Sequence, residues 1–204
     1  MITIVDYGLG NVLAFENIYK RLNIPVEIVK TSDALSSAKK ILLPGVGSFD
    51  WAITQLNNSG MRSMLDKLVV EKGIPVIGIC VGMQMMAKSS HEGKLDGLGW
   101  INAEVKRFDD SNNLQLPHMG WNEIITINNS PLFLGLEEAA RFYFLHSYYF
   151  SHSEKSQILS QTSYNGLFTS SVNHKNIFGV QFHPEKSHHW GMKLLKNYAE
   201  MDTC

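Results

Sequence analysis

Cys80 stands between two glycines, Gly78-Ile79-Cys80-Val81-Gly82, where the apolar run "VIGIC" passes into a helix-like segment. A thiol on a tight strand-to-helix turn has the form of a nucleophile elbow, because flanking glycines relieve the crowding of the turn. The first backbone N–H groups of the following helix and its positive end both favour a thiolate. Free cysteine is also among the most buried residue types, so a small structural side chain is the competing reading. The elbow alone does not choose between them.

A sulfur nucleophile needs a base and a group to orient that base. "GVQFHPEKS" ends an apolar strand at Phe182 and continues with His183, Pro184 and Glu185. Pro184 biases His183 towards an extended backbone, and residues two apart on an extended segment project to one side. Glu185 then accepts from one imidazole nitrogen and leaves the other facing Cys80. An ordinary His–Glu pair at a strand end is the plainer reading, and only the elbow cysteine lifts this one above it. Acyl chemistry further requires two backbone donors where negative charge develops. Val81 N–H, directly after the nucleophile, is one. "LPGVGSFD" supplies the other around Gly45, Val46 and Gly47, where glycines allow close approach to a ligand; alone, this segment reads as a plain strand-to-helix turn.

The elements that must position these groups follow from periodicity. "ITIVD" (Ile2–Asp6), "VEIVK" (Val26–Lys30), "KILLPG" and "IPVIGIC" read as strands. A helical pattern runs from Asn11 through Val12, Phe15, Tyr19 and Leu22, and two more helices lie between Phe49 and Glu71, divided at Ser59-Gly60. Alternating strands and helices predict an α/β fold, three-layered, with an open, mostly parallel sheet and helices on both faces. From Trp100 to Phe182 the pattern becomes strand-rich: "INAEVKRF", "NEIITI", "RFYFLHSYYF", "QILSQTS", "GLFTSSV" and "NIFGVQF". These extend the sheet with antiparallel strands in the C-terminal half. A closing helix from Ser187 carries Trp190, Leu194, Leu195 and Tyr198 on one face. With 204 residues, 44% of them hydrophobic, and no linker or repeat, the chain reads as a single domain over 1–204.

Composition removes several function classes. Net charge is −1 and the 18 basic residues are scattered, so no nucleic-acid footprint is expected. No apolar run reaches the ~18 residues of a membrane span. The two cysteines, Cys80 and the terminal Cys204, make no disulfide framework, and "MITIVDYGLG" has neither a basic start nor an apolar signal core. A cytoplasmic protein is expected. "DYGLGNVL" resembles a dinucleotide fingerprint, but Leu13 occupies the place of its third glycine, leaving a tight turn. His183, His188 and His189 lack thiolate or carboxylate partners in ligand spacing, so no metal and no cofactor is expected.

"GICVGMQ", "PGVGSFD" and "FGVQFHPEKS", in this order and spacing, resemble the class I (triad-type) glutamine amidotransferases. "LPHMGWN", "YFLHSYY" and the opening "VDYGLGN" narrow the resemblance to the glutaminase subunits of imidazole glycerol phosphate synthase, almost end to end. It implies that Cys80 attacks the side-chain amide of L-glutamine, that His183 acts as base and then acid, and that Glu185 orients His183. Gly45, Val46, Gly47 and Val81 match the oxyanion segments. Gln84, Glu92, Tyr143, His146, Ser147 and Tyr148 match positions that hold or line the glutamine. The implied partner is a (β/α)8-barrel cyclase that receives ammonia through an internal channel and makes imidazole glycerol phosphate in histidine biosynthesis; Asn11, Trp121 and Lys186 match interface positions. "WINAEVKRF" (Trp100–Phe108) departs from that pattern, which is expected to be more aliphatic there. A paralogous glutaminase serving amidination of a bacterial surface sugar is the alternative assignment. A free-standing cysteine hydrolase and a catalytically silent interaction module are the other readings; the silent module is disfavoured because nucleophile, base, orienter and oxyanion loop occur together.

Overall fold

The computed structural model describes residues 1–109, 114–136, 139–152 and 154–201; Cys204 lies outside them. Four short, β-branched or leucine-rich segments form β1 (Ile2–Val5), β2 (Val26–Val29), β3 (Ile41–Leu43) and β4 (Val76–Ile79). They lie in the order β2-β1-β3-β4 and pair in parallel. β1, β3 and β4 are buried along their whole length, as strands covered on both faces must be.

The strand-rich half adds β5 (Ser89–Ser90), β6 (Ala103–Arg107), β7 (His118–Glu123), β8 (Ile125–Thr126), β9 (Arg141–His146), β10 (Tyr148–His152), β11 (Ile158–Ser163), β12 (Leu167–His174) and β13 (Ile177–Val180). β13 pairs parallel to β4, and β12, β10 and β6 follow in antiparallel succession. The expected parallel sheet with an antiparallel extension is present, with 11 strands among the described residues.

The aromatic segment "RFYFLHSYYF" is not the single core strand its pattern predicts. It forms two strands, β9 and β10, broken at Ser147. β9 leaves the main sheet and pairs with β7 over six residues, His118↔His146 to Glu123↔Arg141. The small β7–β9 sheet is tied to the segment that follows β13 through a bridge between Tyr143 and His183.

Helices α1 (Val12–Arg21), α2 (Ser32–Leu35), α3 (Phe49–Asn58), α4 (Arg62–Asp66), α5 (Val81–Gln84) and α6 (His188–Glu200) cover the sheet. Asn11 caps α1, its Oδ1 accepting from Ala14 N at 3.2 Å. The second helix expected before Glu71 is α4 continued by a π-helical turn, Lys67–Glu71. Trp100, in the departing segment, is mostly buried and donates from Nε1 to Asp66 Oδ1 at 2.7 Å. α6 buries Leu194, Leu195 and Tyr198 and leaves Trp190 half-buried. No described helix is long and apolar enough to cross a membrane.

Candidate active site

At the carboxyl end of β4 the chain turns through Cys80 at φ 55°, ψ −114°, a left-handed conformation that costs a non-glycine residue ~1–3 kcal/mol. The neighbours explain why the turn is framed by glycine. A Cβ on Gly82 would lie 2.1 Å from Leu43 O, and one on Gly78 would lie 2.7 Å from Gly82 O. A Cβ on Gly45 would sit 2.3 Å from Gly82 N. The elbow and the segment after β3 therefore touch backbone to backbone. Cys80 is not displayed in the open: it is 4% exposed, at the floor of a cavity of about 170 Å³. α5 is a single turn, so the expected help from a helix dipole reduces to the local N–H groups of the turn, which lack intrahelical acceptors.

His183 lies beyond the end of β13 with an extended backbone, φ −104° and ψ 94°. Glu185 does not follow in extended register, as expected from the sequence. It sits in a 3-10 turn, Pro184–Lys186, which still brings its Oε1 to 2.8 Å from His183 Nδ1. Both side chains are buried, at 4% and 3% exposure. Burial disfavours the imidazolium, yet hydrogen bonds to Cys80 and Glu185 and the charges of both outweigh it, and the pKa of His183 is pushed up to about 10. Since Nδ1 faces Glu185, Nε2 is the nitrogen left for Cys80. Sulfur, imidazole and carboxylate thus form one hydrogen-bonded series, the arrangement nucleophilic catalysis needs.

Around the cavity stand Val46, Gly47, Cys80, Val81, Gln84, Glu92, Leu145, His146, Ser147, Tyr148, His183 and Lys186. Most of the residues singled out in the sequence therefore converge there. Gly45 lies behind, against Gly82, and Glu185 lies behind His183. Tyr143 does not line the cavity: its ring neighbours Trp121 at 6.3 Å and lies 5.5 Å beneath Lys186 Nζ.

Glu92 is fixed by a loop pinned to α3. Asp50 accepts from Lys94 N and Leu95 N, and Glu92 Oε2 accepts from Phe49 N at 2.8 Å. Burial raises the Glu92 pKa, opposed by the Phe49 hydrogen bond and reinforced by the nearby charge of Asp50. A half-buried carboxylate in this position suits an ammonium group.

The opening "DYGLG" turn braces the Pro44–Gly47 segment. Gly8 and Gly10 have φ of 92° and 94°, and a Cβ on Gly10 would meet Pro44 Cβ at 2.6 Å. Tyr7, buried, donates its hydroxyl to Pro44 O at 2.7 Å. Burial, and then the charge of Cys80, raise the Tyr7 pKa far above the usual phenol range, so it stays a donor.

Trp121, outside the cavity lining, is 36% exposed. It stacks on His188 with ring centroids 5.1 Å apart and an interplanar angle of 11°, with Trp190 at 6.4 Å. Through Tyr143 and Lys186 this aromatic group is continuous with the cavity mouth. A larger groove of about 560 Å³ runs along Ile124–Leu136, but none of the candidate catalytic groups faces it.

Two participants escaped sequence reasoning. Leu145 lines the cavity from the unforeseen end of β9. Gln181, wholly buried, reaches Cys80 Sγ with its Nε2 at 3.7 Å. Its signal was a carboxamide in an apolar strand, two residues before His183 and so on the same side.

The family model described as glutamine amidotransferase class-I matches residues 3–200. The chain belongs to the class-I glutamine amidotransferases. It is 53% identical over 204 residues, 98% of its own length and 100% of the relative's, to "Imidazole glycerol phosphate synthase subunit HisH" of Bdellovibrio bacteriovorus. It is 52% identical, with the same coverage, to the protein of that name in Leptospira interrogans. Among solved structures, PurLQS from Thermotoga maritima contains a chain that shares the fold, with a TM-score of 0.73 at 17% identity over 97% of this chain and 96% of that one.

Proposed function

We propose that residues 1–204 act as one glutamine amidotransferase domain, the glutaminase subunit of an imidazole glycerol phosphate synthase in histidine biosynthesis. The observation that carries this reading is the series Cys80–His183–Glu185 on the floor of a small cavity, in a chain 53% identical end to end to a subunit of that name. Cys80 Sγ, as the thiolate paired with protonated His183, attacks the side-chain amide carbon of L-glutamine. The negative oxygen that forms is met by Val81 N–H and by N–H groups of the Gly45–Gly47 segment. His183 gives its proton to the departing nitrogen, the C–N bond breaks, and ammonia leaves a γ-glutamyl thioester. His183 then takes a proton from water, hydroxide adds to the thioester carbon, the C–S bond breaks, and glutamate leaves with the thiolate restored. Glu185 holds the imidazole through Nδ1 throughout, as the third member of such triads does. Glu92 meets the α-ammonium of glutamine, and His146, Ser147 and Tyr148 shape its pocket.

Ammonia passes to a (β/α)8-barrel cyclase. The exposed stacked Trp121, with Lys186 at the cavity mouth, supports a protein docked over this rim, because apolar patches of this kind mark contact sites. Asn11, next in the chain to Gly10, which packs against Pro44, belongs to the same docking surface in this reading. No cofactor enters any step, and a cytoplasmic setting suits a reaction that depends on a free thiolate.

Glutamate release, measured for the chain alone and with a barrel cyclase and its nucleotide added, tests the reading. Partner-dependent release, lost by a factor of ~10³ or more in Cys80→Ser, is expected. Full activity without a partner would mean a free-standing hydrolase. No release with the partner bound would mean a silent module, and normal turnover in Cys80→Ser would end the mechanism.

A further inference from the structure

Besides His183, a second polar chain reaches the sulfur of Cys80. Tyr148 O accepts from His146 Nδ1 at 2.8 Å and from Gln84 Nε2 at 3.1 Å. A backbone carbonyl can only accept, so the orientation of the Gln84 amide is fixed by chemistry. Its second N–H must then meet an acceptor, and it lies 2.9 Å from Gln181 Oε1. With Oε1 committed, Gln181 has only its N–H groups left to face Cys80 Sγ, 3.7 Å from Nε2. Gln84 and Gln181 are both buried, at 3% and 0% exposure, so water offers neither amide an alternative.

We infer that Gln181 is a positioning residue for the nucleophile, a fixed neutral donor that favours the thiolate of Cys80, and that Gln84 acts on the chemistry through Gln181 by holding its amide in that orientation. This deepens the proposed function and rests on Cys80 being its nucleophile. A hydrogen bond to an ionised acceptor is stronger than one to its neutral form, so the donor weights the equilibrium towards the thiolate and holds the sulfur at the strained turn. Both N–H groups of Gln84 are spent inside the protein, so only its Oε1 remains to touch a glutamine in the cavity.

The test uses the full chain carrying Cys204→Ser, so that Cys80 is the one thiol, and reads its alkylation rate by iodoacetamide from pH 5 to 10. This readout is independent of glutaminase turnover: no glutamate release by the parent chain with its partner, beside a raised alkylation midpoint in Gln181→Met, counts against the proposed function and not against the donor. Gln181→Met keeps the volume and removes the donor. Its alkylation midpoint is expected to rise by about one pH unit, roughly tenfold less thiolate below it. Gln84→Met leaves Gln181 in place but free to turn, and its midpoint is expected to rise by a smaller amount. Thermal unfolding identifies a variant that does not fold; if Gln181→Met is such a variant, Gln84→Met decides. A midpoint within 0.2 units of the parent in a folded Gln181→Met, or in Gln84→Met standing in for it, overturns the inference.

Discussion

Glu185→Gln separates the charge of the orienting residue from its hydrogen bond. The new amide must turn its oxygen to His183 Nδ1, since that nitrogen carries a proton. Its NH₂ then occupies the place of Glu185 Oε2, a buried atom with no hydrogen-bond partner, and a donor stranded there costs ~1–3 kcal/mol. The larger effect falls on the imidazolium. Its rise from 6.5 to about 10 corresponds to ~5 kcal/mol at 1.36 kcal/mol per pH unit. Cys80 and Glu185 both contribute, against burial; an equal split assigns the carboxylate roughly 2 kcal/mol, about thirtyfold in rate. The sign is that of a cation held by its partners: folded His183 keeps its proton until pH nears about 10, and the stability this adds is fully present below 6.5 and lost as pH rises through about 10. In Glu185→Gln the alkaline limb of partner-stimulated glutamate release should therefore move down by one to two pH units, and kcat/KM near neutrality should fall by ten- to a hundredfold. An alkaline limb that stays in place, or a loss under threefold in a variant that folds, would refute the reasoning.

Gly82→Ala drives its Cβ to 2.1 Å from Leu43 O and should cost at least ~3 kcal/mol in urea unfolding, whereas Gly60→Ala, at φ 71° with nothing within 4 Å, should cost only ~1 kcal/mol. A Gly82→Ala protein as stable as Gly60→Ala would contradict the backbone contact. His118 and His146 share a hydrogen bond at 3.0 Å, and burial lowers their pKa values to about 4 and about 3. They stabilise the fold above pH 6.5 and lose that contribution as pH falls below it, by roughly 2 kcal/mol each at pH 5. His118→Phe, which keeps the stacking on Tyr164 and Phe144, should unfold more easily at pH 7 yet depend less on pH between 7 and 5; parallel curves would contradict this. Trp121→Ala should weaken cyclase binding about thirtyfold by calorimetry with the isolated chain's thermal midpoint nearly unchanged. An unchanged affinity would move the docking face elsewhere.

The parallel half of the fold was legible because its strands are short apolar runs closed by Pro and Gly, and because Phe15 and Tyr19 recur at helical spacing and are buried as the pattern requires. The meeting of Cys80, His183 and Glu185 was legible for a related reason: strand ends carry chemistry in open parallel sheets, and both Cys80 and His183 follow apolar strands. What local pattern could not give was the division of an aromatic strand between two sheets. Phe142, Phe144 and Phe150 are all buried, and only the tertiary pairing of β7 with β9 decides that Ser147 is a break. Gln181 was hidden similarly, since a carboxamide declares its purpose only through partners 97 and 101 residues away.

The cavity has two kinds of wall, and the glycine contacts decide which of them can be re-shaped. Behind Val46, Gly47 and Val81 the main chains at Gly45 and Gly82 are locked together without space for a methyl group, so that wall behaves as one solid piece. Leu145, Ser147 and Tyr148 also line the cavity and take no part in that contact. An engineer seeking to admit a bulkier amide would have to carve there, because any attempt from the glycine side breaks the scaffold before it changes the substrate.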